Sequence, residues 1–338
     1  MDKVDDASSI LQLGTAFAPA KILHSAVEVG LFEALQDEPA DLGQICSKLG
    51  LNPRLTRDFL DALVVLGLLD KEKGRYLASE TARKFLVPGQ AGYVGGRIKI
   101  GGKLHYRAWQ SLADALRDGL PKADIDADAK AYERLYGDPE RARVFLSHMD
   151  ASNVMVAPQL DECIAWSEYE SFVDVGGARG QVAAILAGRN KHLRGGVFDF
   201  PAVRPYFDEI MAQYGTAEQV TFHPGDFFLN PLPSVDVYVI GHVLHDWSVS
   251  ERRQIIERVS AAARPGSVLL IYDQMLDEDR PDLQSLIGSL NVALITPGGS
   301  EYTVAECRDW VENSGFRFLR AHRLPVGNDT VLVAERTA

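Results

Sequence analysis

The sequence predicts an α/β protein of two parts, a helical N-terminal domain and a doubly wound, mostly parallel seven-stranded sheet. Three observations carry this. The chain has 338 residues, too many for one core of ordinary size. Beyond about residue 170, short β-rich runs alternate with helical stretches, the pattern of a sheet with helices on both faces. A glycine-rich turn then separates the first of these runs from the helix that follows it.

In the N-terminal part, Leu23, Val27, Leu31 and Leu35 recur at four-residue steps and predict a helix over 20–35. Its apolar surface is broad for a lone helix, so a subunit interface is expected there. Asp41 caps a second helix carrying Leu42, Ile45, Cys46 and Leu49, which Gly50 ends. Asn52-Pro53 starts a third, with Leu55, Phe59, Leu60, Leu63 and Leu66 at helical spacing. The charged segment 70–76 turns between two short extended pieces. Helix, turn, helix and hairpin in this order predict a winged helix. Arg54 and Arg57 on its second helix are offset by Asp58 and Asp61, and the chain carries a formal net charge of −12. A packing or dimerisation module is therefore expected, with no nucleic-acid partner.

Residues 89–160 read as helices that cover the mouth of the sheet. Strands are expected at 171–175, 196–199, 220–222, 235–240, 268–272, 316–321 and 330–334. The last two are joined by a short connection containing Pro325 and Gly327, so the final strand should run antiparallel at or near an edge. The division expected is 1–155 for the helical domain and lid, and 156–338 for the sheet domain. Three dispersed cysteines fit neither a disulfide framework nor a zinc cluster, and point to a reducing compartment. With an acidic start unlike a signal peptide and no long apolar run, a cytoplasmic protein with no membrane association is expected.

The first candidate site is Asp174-Val-Gly-Gly-Ala-Arg-Gly180, between a strand and a helix. Gly176, Gly177 and Gly180 let the backbone approach a ligand. Asp199 ends the next strand, where a carboxylate can bind both ribose hydroxyls of a nucleoside. Ala178 interrupts the usual dinucleotide glycine set, and an acid opening the loop suits an amino-bearing ligand. S-adenosylmethionine is thus favoured over a nicotinamide cofactor. Asp226 and Phe227, just past the third strand, could accept the adenine amino group and cover the base.

The second candidate site is the loop His242-Val-Leu-His-Asp-Trp247 at the end of a buried-type strand. Open α/β sheets bind ligands at that edge. His245 beside Asp246, with Asp273 ending the next strand, has the parts of a general base and its orienting acid. His242 with His245 could be a metal pair, but no third ligand stands at suitable spacing, so no metal is expected.

Together these motifs resemble the small-molecule O-methyltransferases of plants and bacterial natural-product pathways, the caffeate, acetylserotonin and polyketide-tailoring types. The resemblance covers nearly the whole chain and includes Phe198-Asp-Phe-Pro201, Gly225-Asp-Phe-Phe228 and Pro297-Gly-Gly-Ser-Glu301. It implies a class I, Rossmann-like methyltransferase fold and a homodimer formed through the N-terminal domain. It further implies that Asp174 to Gly180 cradle the methionine part of the cofactor and Asp199 its ribose. Asp226, Phe227 and Trp247 would hold the adenine. His245 matches the family's base, and Asp273 and Glu301 the carboxylates beside it. Met149 matches a residue packed on the substrate ring, and Asp246 would also face the substrate, a small aromatic. Arg97, Lys99, His105, Tyr106 and Trp109 lie in the expected lid. Departures are Ala178 and Arg179 in the loop, and Asp273 where many members carry glutamate. Alternatives left open are a C-methyltransferase of the same fold, an NAD-dependent oxidoreductase and a winged-helix regulator.

Overall fold

The computed structural model describes residues 4–90, 92–123 and 131–337. It forms two compact units, Met1–Lys103 and Leu104–Ala338.

The first unit contains the predicted winged helix. Asp41 caps the helix Leu42–Leu49 in a reciprocal box with Gln44, and Gly50 ends it in the left-handed region. Asn52 caps Pro53–Val65 with Pro53 in the first turn. Strands β1 (Ala40–Asp41), β2 (Leu69–Glu72) and β3 (Arg75–Ala78) form a small sheet in the order β1-β3-β2. The helix expected over 20–35 is divided. Phe17–Glu28 is followed by a short Leu31–Ala34 turn of helix, with Gly30 at φ 71° between them. The apolar residues of this stretch also turn inward. Val27, Leu31 and Leu35 pack with Leu60, Leu63 and Tyr76 in the unit's own core. The exposed apolar surface lies instead on the preceding segment, where Ile10, Leu11, Leu13 and Phe17 face outward. Burial within the unit thus accounts for much of the apolar face of 20–35, and the exposed apolar residues lie at 10–17.

The second unit holds seven strands: β4 (Ser171–Val175), β5 (Arg194–Asp199), β6 (Val220–Pro224), β7 (Val237–Gly241), β8 (Val268–Asp273), β9 (Phe316–Arg323) and β10 (Thr330–Arg336). Their order is β6-β5-β4-β7-β8-β10-β9. The first five are parallel, and β10 runs antiparallel to both β8 and β9. The final strand is thus antiparallel and near the edge as predicted, with β9 outside it. Alternate residues of the central strands feed two cores. Phe172, Val237, Val239 and Leu270 enter one, and Val173, Tyr238, Ile240 and Leu269 the other. Burial on both faces is why these runs read as continuously apolar.

The helix Pro139–Leu160 buries Leu146, Val156, Ala157 and Leu160 in the core on the first of these faces. This packing places residues 104–155 in the second unit, whereas the sequence groups them with the N-terminal domain. The chain order reverses direction between β4 and β7, which opens a crevice at the carboxyl ends of these two strands. Among the described residues, no helix is long and apolar enough to cross a membrane.

Candidate active site

The glycine turn leaves β4 at the switch point. Gly176 and Gly180 adopt φ of 72° and 85°, and Ala178 takes φ 48°, a region an L side chain rarely occupies. The turn is held by its own backbone and by the neighbouring strand. The Gly176 amide donates to the Phe198 carbonyl at 2.8 Å, and the Gly180 amide to Gly177 at 2.9 Å. A side chain on Gly177 would come within 2.6 Å of the Asp174 carboxyl, and one on Gly176 within 2.8 Å of Val243. The backbone is therefore bare where it faces the crevice. A small cavity opens there, lined by Met149, Asn153, Asp174, Gly176, Gly177 and Tyr272.

Two buried carboxylates border this turn. Asp199 accepts the Ala178 amide at 2.8 Å and the Phe200 amide at 2.7 Å. Burial nevertheless pushes its carboxyl up to about 6. Burial, reinforced by the Asp199 charge, pushes Asp174 up to about 7. Buried acids in such a state are ready to accept a cation or hydroxyls. Asp226, by contrast, is half-buried and turns back to accept the Phe228 amide at 2.8 Å. Phe227 and Phe228 pack edge-on against Trp247, with ring centroids 5.9 and 4.8 Å away.

His245 lies on a single 3-10 turn, Leu244–Asp246, after β7. Its Nδ1 contacts Glu301 Oε1 at 2.9 Å and Asp273 Oδ1 at 3.1 Å, and its Nε2 lies 3.7 Å from Asp246 Oδ1. Asp273 is fully buried, and Tyr302 donates its hydroxyl to the other oxygen at 2.5 Å. Burial alone would lower the imidazole. The charges of Asp273, Glu301 and Asp246 outweigh it and hold His245 well above the usual histidine range. Burial pushes Asp273 up to about 7; the His245 charge opposes this and the Glu301 charge adds to it. The donor atoms of His245, Asp273 and Glu301 fall within 4.8 Å of one another. Nδ1 is hydrogen-bonded to Glu301, while Asp273 Oδ1 faces the same nitrogen at 3.1 Å without a hydrogen-bond partner of its own among the described residues.

The loop is fixed by a residue the sequence reading missed. Arg252, 2% exposed, donates Nε to the carbonyls of Leu244 and Trp247 at 2.9 and 2.8 Å, and a terminal nitrogen to Ser300 at 2.6 Å. Its guanidinium sits over the Tyr302 and Trp310 rings. The available signal was an arginine on the inward face of the helix Val249–Ala262, beside Ile255, Ile256 and Val259. Tyr132 and Tyr136 on the helix Ala131–Gly137 were also missed, although their four-residue spacing marks one face. The structure brings their rings to Phe200, and that of Tyr132 also to Trp247. His242 does not join His245 in a metal pair; its Nε2 meets Asp329 at 2.7 Å. Arg179 pairs with Asp150, tying the glycine turn to the Pro139–Leu160 helix. Of the lid candidates, Trp109 donates to Asn291 at 3.1 Å and His105 lies edge-on to His148, while Arg97 and Lys99 fall in the first unit.

Residues 109–317 match the O-methyltransferase domain, and residues 11–88 the O-methyltransferase dimerisation domain. The chain belongs to this O-methyltransferase family. It is 42% identical to the tetracenomycin polyketide synthesis 8-O-methyl transferase TcmO of Streptomyces glaucescens, over 97% of this chain and 96% of that protein. It is 41% identical to the N,N-dimethyltransferase OxyT of Streptomyces rimosus, over 95% and 94%. The crystal structure of human N-acetylserotonin methyltransferase in complex with S-adenosylmethionine superposes over 100% of both chains, with a TM-score of 0.89 at 25% identity. The protein is an S-adenosylmethionine-dependent O-methyltransferase with a class I fold. The glycine turn fits that cofactor: a backbone with no room for side chains, flanked by two buried acids, suits a ligand carrying an ammonium group and a ribose diol.

Proposed function

We propose that this methyltransferase acts on a phenolic hydroxyl of a polyketide-derived aromatic, with His245 as general base. The observation that carries the reading is the asymmetry of the His245 ring. Nδ1 is engaged by two buried carboxylates, which leaves Nε2 to receive a proton. Asp273 and Glu301 orient the ring and balance the charge it gains. Asp174 and the backbone of Gly176, Gly177 and Gly180 would hold the methionine part of the cofactor, Asp199 the ribose, and Asp226, Phe227 and Trp247 the adenine. When bound, S-adenosylmethionine supplies an electrophilic methyl group on a sulfonium. His245 would take the phenol proton at Nε2, leaving the phenol oxygen nucleophilic toward that methyl group. Met149, in the cavity at the glycine turn, and Asp246, beside Nε2, would meet the substrate. The substrate class rests on the similarity to TcmO. The exposed apolar segment 7–17, within or beside the dimerisation match, supports a homodimer formed through this domain.

A second reading is methylation of an amine, favoured by the nearly equal identity to OxyT. Incubation with S-adenosylmethionine and paired panels of polycyclic phenols and their amino analogues separates the two. Mass spectrometry and NMR of the products should place the methyl group on oxygen. Transfer to nitrogen alone would replace the first reading with the second.

A further inference from the structure

The hydroxyl of Tyr132 donates to Asp246 Oδ2 at 2.7 Å, across 114 residues of sequence. The other oxygen of the same carboxylate stands 3.7 Å from His245 Nε2, the ring nitrogen left open by Asp273 and Glu301. Asp246 is therefore at a fork. Turned fully to Nε2, it would accept a hydrogen bond from a protonated ring and keep the base charged. Turned to Tyr132, it is held just beyond hydrogen-bond distance. The phenol is set by its surroundings, with the Phe145, Trp247 and Phe200 rings at 6.2, 6.4 and 6.5 Å. Burial and the Asp246 charge hold its proton on well above the usual tyrosine range, so the hydroxyl stays a donor.

We propose that Tyr132 is a positioning residue for the reaction: by engaging Asp246 it restrains that carboxylate from Nε2 and keeps His245 free to accept the substrate proton. The inference rests on His245 being the base. The other groups around the ring come from three directions. His242, paired with Asp329 of the β9–β10 connection, lies 5.9 Å away on the same loop, and its charge opposes protonation of His245. Asp273, with Tyr302 on its far oxygen, comes from β8, and Glu301 from the loop before Val304–Asn313; both act on Nδ1. Tyr272 packs edge-on to His242. Among the described residues, Asp246 is the charged group recorded against Nε2, so a change in its partner is felt where the proton is transferred.

The test is the protonation midpoint of His245, read by NMR of histidine-labelled protein saturated with S-adenosylhomocysteine. The His245→Gln variant identifies the resonance. In Tyr132→Phe the ring still fills its place while the donor is gone. The midpoint should rise by at least half a pH unit, about a threefold gain in proton affinity, and the acidic limb of the kcat/KM profile should move with it. Asp246→Asn should lower the midpoint, and adding Tyr132→Phe to it should cause no further shift. An unchanged midpoint in Tyr132→Phe, a uniform loss of turnover at every pH, or an equal shift in the double variant overturns the proposal. If Tyr132→Phe does not fold, Asp246→Asn decides: a fall supports the proposal, and no change overturns it. The NMR titration needs no turnover, so these failures stand apart from failure of the base assignment, which wild-type turnover in His245→Gln would reveal.

Discussion

The glycine turn and the His245 loop occupy the same edge of the sheet and treat charge in opposite ways. At the turn, Asp174 and Asp199 are buried beside backbone amides, and their carboxyls are pushed up to about 7 and about 6. At the loop, the charges of Asp273, Glu301 and Asp246 outweigh burial and raise the proton affinity of the imidazole. One region carries buried carboxylates with no cationic side chain paired to them among the described residues, as a site completed by its ligand would. At the other, charged side chains of the protein itself surround the ring. Binding sites can leave buried charge unpaired because the ligand finishes them, whereas a base must be oriented before its substrate arrives.

The largest effect that would break this comparison is at the loop. His245→Gln should lower kcat by about 10²–10⁴-fold while S-adenosylhomocysteine affinity, read by calorimetry, stays within about twofold if the two sites are independent. A comparable loss of affinity would mean that they are not. At the turn, Asp174→Asn should weaken S-adenosylhomocysteine by about 10–100-fold, in line with 1.5–3 kcal/mol for a hydrogen bond to a charged group. It should leave kcat at saturating cofactor much less affected.

A pH series sharpens the same point. Asp174 must be ionised to pair with an ammonium, and its carboxyl in the free protein sits at about 7. Affinity should therefore rise from pH 5.5 to pH 8, with proton release on binding, and Asp174→Asn should flatten the dependence. Stability of the free protein follows the opposite sign. A carboxyl raised on folding favours its neutral form, so stability present below the unfolded value is lost as pH climbs toward 7. The ligand-induced gain in Tm should accordingly be larger at pH 7.5 than at pH 5.5.

Arg252→Met tests how the loop is held. It removes a buried cation and leaves the Leu244, Trp247 and Ser300 carbonyls without that donor. A loss of about 2–4 kcal/mol is expected, read by denaturant unfolding. The smallest effect belongs to Ala178→Gly. Relief of the φ 48° conformation and the greater freedom of glycine in the unfolded chain oppose each other, so stability should change by less than about 1 kcal/mol.

Much of this molecule was legible before any coordinates. The parallel strands announced themselves as apolar runs because both faces are buried, and the caps at Asp41 and Asn52 fixed helix starts through local hydrogen bonds. Asp199, Asp273 and His245 could be placed at one edge because each follows the end of a strand. Other features depended on distance along the chain. Nothing local to Leu31 or Leu35 says that Leu60 and Leu63 will cover them. Nor does the sequence around Arg252 say that the fold will wrap three carbonyls around it.

The sequence by itself determined the order of strands and helices, the glycine turn and the identities of the acids and the histidine, because these follow from local periodicity and from motifs read in series. The tertiary structure decided which partner each group meets: Glu301 at Nδ1, Asp329 at His242, Tyr132 at Asp246. Those pairings join segments 56, 87 and 114 residues apart, and only the closing of the chain on its core sets which carboxylate faces which nitrogen.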